Sequence, residues 1–134
     1  MTGKALPANG VLIITTEVGH GERLANAVRR CKLTPRQCGT LDQARRILSR
    51  ERFTAVLCEE TSNALDFRAE IVQLERLAHR TPVIAVSRHD DWLSYMRALD
   101  AGAADYLAFP PYAGEVERSL RKASEAARAV EDAA

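Results

Sequence analysis

Two carboxylates, Glu59 and Glu60, close the apolar run Ala55-Val56-Leu57-Cys58, and three other apolar runs also lead into groups able to do chemistry. Thr15, Thr16 and Glu17 follow Val11 to Ile14, Ser87 follows Val83 to Val86, and Phe109 stands just past Ala104 to Leu107. Carboxylates and hydroxyls offer hard oxygen atoms and hydrogen-bonding sites, so these ends are where binding or transfer chemistry would sit. Gly19-His20-Gly21 follows the first run and precedes an amphipathic stretch, as a phosphate-binding loop would. It has neither the full G-x-G-x-x-G pattern nor a P-loop lysine, so it falls short of a nucleotide-binding motif. His20, His79 and His89 show no metal-ligand spacing and are expected at the surface. Cys31, Cys38 and Cys58 are odd in number and lack C-x-x-C spacing, which predicts reduced, buried thiols. No Ser-His-Asp or Cys-His arrangement can be read from the chain.

The elements that must hold these groups follow from hydrophobic periodicity. Continuous apolar runs at Val11 to Ile14, Ala55 to Cys58, Val83 to Val86 and Ala104 to Leu107 predict strands buried on both faces. A fifth strand, poor in apolar residues, is placed at Arg36 to Gly39 by the rhythm of the chain. Leu24, Ala27, Val28 and Cys31 form one helical stripe between the first two strands. Thr40 with Gln43 forms a capping-box signature for a second helix carrying Leu41, Ala44, Ile47 and Leu48 and ending near Arg50. Phe67, Ile71, Leu74 and Ala78 mark a third helix. Trp92, Met96, Leu99 and Ala103 mark a fourth, capped by Asp90 or Asp91 and interrupted or closed by Gly102. Val116, Leu120, Ala123, Ala127 and Val130 mark the last. Strict alternation of strand and helix implies right-handed crossovers, hence a doubly wound α/β fold: a (βα)5 unit around a central parallel five-stranded sheet. Ligands of such sheets collect beyond the carboxyl ends of the strands, where the groups named above lie.

Composition bounds the partners. The 134 residues suit one domain, with a short N-terminal segment at 1–10, the folded unit at 11–123 and an extension of the last helix at 124–134. Lys plus Arg number 19 against 18 for Asp plus Glu, a balance that announces no nucleic-acid or membrane surface. Apolar runs are far shorter than the roughly 20 residues of a membrane span, and Met1 to Gly10 lacks the apolar core of a signal peptide, so a cytoplasmic location is expected. Arg118, Arg121, Lys122 and Arg128 share the last helix with Glu115, Glu117, Glu125 and Glu131, a solvated face rather than a DNA-binding one.

Three segments are similar to the receiver domain of bacterial response regulators: Val11 to Glu17, Pro82 to Ser87, and Gly102 to Pro110. The resemblance spans roughly Val11 to Ala123 and implies a flavodoxin-like fold. It also implies a magnesium-binding acidic pair at the end of the first strand, an acceptor aspartate ending the third, Ser or Thr ending the fourth and Lys-Pro ending the fifth. The acidic pair falls on Thr15 and Thr16, whose hydroxyls are poor ligands for a hard dication, so magnesium binding is expected to be weak or absent. The acceptor falls on Glu59, whose extra methylene displaces the carboxylate by about 1 Å, a shift that alone costs about a hundredfold in rate. The lysine falls on Phe109, leaving the acceptor charge without an evident partner. Ser87 and the switch aromatic, Tyr106, are kept.

The plain reading of Thr15, Thr16 and Ser87 is as helix caps or strand-end hydrogen bonders, and that of Phe109 is as filler of the space an ion site would need. Glu17, Glu59 and Glu60 could still gather around a divalent ion, since the family's metal site lies between those loops. The expectation is a degenerate, pseudo-receiver domain without catalytic activity or cofactor. It would act by protein-protein interaction independently of phosphorylation, with a homodimer through the fourth helix, fifth strand and fifth helix as one form; Trp92, Tyr95 and Tyr112 place aromatics in or near that region. Two alternatives stand beside it. One is a small-molecule site in the altered strand-end pocket, with Phe109 stacking and Thr15, Thr16 or Ser87 hydrogen bonding. The other is an amino-terminal receiver of a longer regulator. The resemblance leaves both cis and trans open at Phe109-Pro110.

Overall fold

The computed structural model describes residues 9–60, 67–112 and 114–133, with 127–133 as backbone only. Strands and helices alternate: β1 (Gly10–Ile14), α1 (Val18–Arg30), β2 (Thr34–Cys38), α2 (Leu41–Leu48), β3 (Ala55–Glu59), α3 (Phe67–Ala78), β4 (Val83–Ser87), α4 (Trp92–Asp100), β5 (Asp105–Ala108) and α5 (Glu115–Ala133). All pairings are parallel, in the order β2-β1-β3-β4-β5. Strand order reverses between β1 and β3, so their carboxyl ends open onto one crevice.

The three central strands carry the apolar runs because both of their faces are covered. Val11, Ile13, Leu57, Ile84 and Val86 point to the layer of α1 and α5, where they meet Leu24, Val28, Val116 and Leu120. Leu12, Val56, Val83 and Ala85 point to the other layer and meet Ala44, Ile71, Leu74 and Ala98. Burying one such aliphatic side chain contributes about 1.5–3 kcal/mol, so the sheet is held from both sides. β2 lies at an edge with only Pro35 and Cys38 partly covered, which explains its polar composition and its tolerance of Pro35. It begins at Thr34, two residues before the start expected from the rhythm.

Local signals match the helix ends. The Thr40 hydroxyl accepts from the Gln43 N–H at 3.1 Å, and the Gln43 side chain accepts from the Gly39 N–H at 2.8 Å. Asp91, rather than Asp90, caps α4 by accepting from the Ser94 N–H at 2.7 Å. Gly102, at φ 111°, ends α4 in a Schellman arrangement, with its N–H on the Leu99 carbonyl and the Ala103 N–H on that of Ala98. Only the second half of the stripe expected for α4 is turned inward, however. Ala98 is the buried residue of the helix, Leu99 is half-buried, and Ala101 and Ala103 just past its end are buried, whereas Trp92 is 73% exposed and Leu93 and Met96 also face solvent. The inner face of α4 thus centres on the small Ala98, and Trp92, Leu93 and Met96 turn outward. On α5, Val116, Leu120 and Ala123 are buried as expected, while the side chains of Ala127 and Val130 lie outside the described residues. The N-terminal segment 1–10 falls outside them too, except for Asn9 and Gly10.

Candidate functional site

The crevice beyond β1 and β3 is closed around one carboxylate. Glu59 ends β3 with only 4% of its surface exposed. A carboxylate so placed must be hydrogen-bonded on both oxygens or lose its charge. The Thr15 hydroxyl donates to Oε1, and His20 Nδ1 lies 2.5 Å from Oε2. With Glu59 ionised, Nδ1 is the donor of that contact. Thr15 is fixed from three directions: its N–H bonds the Cys38 carbonyl, its hydroxyl oxygen accepts from the Glu17 N–H at 3.0 Å, and its hydroxyl proton goes to Glu59.

His20 reaches Glu59 because α1 starts immediately beyond β1 and approaches the sheet closely at Gly21. A Cβ on Gly21 would stand 3.2 Å from Thr15 Cγ2 and closer still to the Gln37 side chain. Gly19-His20-Gly21 is therefore the first turn of α1, not a phosphate-binding loop. The expectation of a surface histidine is corrected as well, since the His20 side chain is only 24% exposed and is paired with Glu59. Phe109 covers it, the two rings stacking with centroids 3.9 Å apart and 27° between planes. Arg23 stands over the Phe109 ring at 6.0 Å. The Phe109-Pro110 bond that carries this ring is cis. Phe109 thus gives one face of its ring to an imidazole.

A second set of contacts runs beside the first. The buried Ser87 hydroxyl donates to Glu60 Oε1 at 2.6 Å and accepts from the His89 N–H at 3.1 Å. The Tyr106 hydroxyl donates to the His89 carbonyl. Burial pushes the Tyr106 phenol up, which keeps it the protonated donor this contact requires. Glu60, Ser87, His89 and Tyr106 therefore form one line of contacts from the end of β3 to β5.

The sequence-derived site residues are only partly brought together. Thr15, Glu59 and Phe109 converge around His20, Ser87 and Tyr106 join through His89, and Thr16 and Glu17 are exposed. Glu17, Glu59 and Glu60 do not form a cluster: Glu59 and Glu60 turn to different partners, and among the described residues no group of three or more His, Cys, Asp or Glu is arranged to hold a metal ion. The polar atoms available for a small molecule in this crevice, those of Thr15 and Ser87, are bonded to Glu59 and Glu60. The residue missed from sequence is His20. Its signal was a histidine one turn past a strand end, followed by a glycine that admits a close helix-sheet approach.

No family model matches the sequence, and neither does any curated protein. Solved structures do. A signal receiver domain of an HD domain-containing protein from Pseudomonas fluorescens Pf-5 is similar with TM-score 0.79 and 18% identity, over 91% of this chain and 98% of that one. The beryllofluoride-activated NtrC4 receiver domain, a dimer in solution, gives 0.79 and 18%, over 89% and 98%. The chemotaxis response regulator CheY4 of Vibrio cholerae gives 0.74 and 10%, over 87% and 98%. With the strand order, the crevice and these likenesses together, the chain has the flavodoxin-like fold of response-regulator receiver domains.

Proposed function

We propose that this chain is a pseudo-receiver of two-component signalling, a module that acts by binding protein partners and does so without phosphoryl transfer, bound magnesium or catalytic turnover. The observation that carries the reading is the occupation of both Glu59 oxygens by Thr15 and His20, roofed by Phe109. A nucleophilic or metal-binding carboxylate needs a free oxygen facing the incoming group. Here one oxygen serves a hydroxyl and the other an imidazole of the same chain, and Thr15 and Thr16 supply no carboxylate for a dication. The partner surface in this reading is α4, β5 and the start of α5, where Trp92, Leu93, Met96 and Tyr112 are exposed, with self-association through that face as one form of binding.

The test is intact mass and magnesium affinity after acetyl phosphate treatment, on the natural chain and on a variant carrying Thr15→Asp, Thr16→Asp, Glu59→Asp and Phe109→Lys. The natural chain is expected to gain no phosphoryl group and to bind magnesium no better than a chain with Glu59→Gln. A stoichiometric phosphoryl adduct on the natural chain overturns the reading.

A further inference from the structure

A groove of about 550 Å³ lies on the far side of Phe109 and Pro110, between the start of α4 and the loop into α5. Its volume falls in the range of about 300–1,000 Å³ seen for ligand-holding clefts. Its walls are aromatic. Trp92 and Tyr95 stack with centroids 5.4 Å apart, Tyr95 meets Tyr106 edge-on at 6.0 Å, and Tyr112, 81% exposed, stands on the α5 side. The Tyr106 hydroxyl is tied to the His89 carbonyl, so that ring is fixed.

Charge on the groove is one-sided. Asp90, Asp91 and Glu115 line it against a single Arg88. Asp91 and Glu115 each use one oxygen on a backbone N–H, of Ser94 and Tyr112 respectively, which fixes the carboxylates at the rim. The hydrogen bonds from Ser94 hold the Asp91 carboxyl below its usual range, so it stays charged.

We infer that the groove receives an arginine side chain presented by a segment of a partner protein. Aromatic faces attract cations through their quadrupole, and a planar guanidinium both stacks on them and forks to carboxylates, which a compact ammonium does not. An exposed Trp and Tyr beside net negative charge match that chemistry and mismatch an anion. The inference rests on reading this face as a partner surface and adds the chemistry of what it accepts.

The experiment is an NMR titration of the full chain, without magnesium or phosphodonor, using the blocked tripeptide acetyl-Gly-Arg-Gly-amide, its citrulline counterpart and free L-arginine. The arginine peptide is expected to shift the Tyr112 and Tyr95 amides, with millimolar affinity that falls as salt is raised. The citrulline peptide and the Trp92→Ala chain should each bind about tenfold more weakly. Trp92 is mostly exposed, so its removal leaves the fold intact, and Val18→Ala, also at an exposed site, should change nothing. Equal binding of citrulline, indifference to Trp92→Ala, or no shift with any probe overturns the inference. So does tighter binding of free arginine than of the peptide, which would assign the groove to a small molecule. None of these outcomes depends on phosphorylation, so the inference and the inert crevice fail separately.

Discussion

Replacing His20 by Ala isolates the contact on which the closed crevice depends. Glu59 has a side chain 3% exposed, and its Oε2 is served by His20 Nδ1. Removing one partner of a fully buried charged pair costs about 3–5 kcal/mol. The His20 side chain keeps 24% of its surface, so water can reach the vacated position and the loss moves toward that of a hydrogen bond to a charged group, about 1.5–3 kcal/mol. The stacked contact with Phe109 adds about 0.5–1.5 kcal/mol. The expected total is about 2–4.5 kcal/mol, or a fall in Tm of roughly 8–18 °C for a domain of this size. Urea denaturation at pH 7 followed by circular dichroism measures it, and the partner variant Glu59→Gln completes a double-mutant cycle. Glutamine keeps an acceptor for Thr15 but carries no charge, so His20→Ala should cost much less in its presence, with a coupling of about 1.5–3 kcal/mol. A coupling below about 0.5 kcal/mol would refute the argument that His20 has become the counterpart of the buried carboxylate.

Other consequences can be measured on the same protein. Gly102→Ala forces an L side chain to φ 111° with its Cβ 2.7 Å from Glu75 Cγ, and should lower stability by about 1–3 kcal/mol, seen as a lower urea midpoint at unchanged slope. The Asp91 carboxyl is held below its ordinary pKa by the Ser94 hydroxyl and N–H; a depressed folded pKa stabilises above the unfolded value and is lost as pH falls through the folded one. Thermal melts from pH 6 downward should therefore show an acid-limb loss that Asp91→Asn reduces. Burial pushes the Cys58 thiol far up, and less strongly those of the half-buried Cys31 and Cys38. Iodoacetamide should reach Cys31 and Cys38 in the native chain but Cys58 only on unfolding; labelling of all three at one rate would contradict the packing.

Most of the fold was legible because its signals are local. The apolar runs of β1, β3 and β4 reflect cover on both faces, and the caps at Thr40 and Asp91 and the left-handed Gly102 are read within a few residues of themselves. The stripe on α4 misled because periodicity marks which residues share a face, not which face is turned inward. Trp92 and Met96 share a stripe, yet the helix packs through Ala98, with Leu99 half-buried beside it. The site was legible where it lay on strand ends, at Thr15, Glu59, Ser87 and Phe109. His20 was not, because its partner is 39 residues away and their meeting depends on how closely α1 approaches the sheet. Spacing along the chain carries no record of that distance.

If the proposed reading holds, the way Glu59 is held also constrains the order in which substitutions could install acceptor chemistry in this chain. Shortening Glu59 to Asp withdraws the carboxylate from both Thr15 and His20 at once. Placing an aspartate at Thr15 sets a second negative charge against the first, where a donor now stands. A lysine at Phe109 removes the ring on which His20 lies. Each step taken alone breaks a satisfied contact, and only the combined set gives a site in which the new charges answer one another, as expected of residues that share partners. On the proposed reading the crevice therefore acts as a ratchet: the closed arrangement sits in a well that single substitutions at Thr15, Glu59 or Phe109 climb out of.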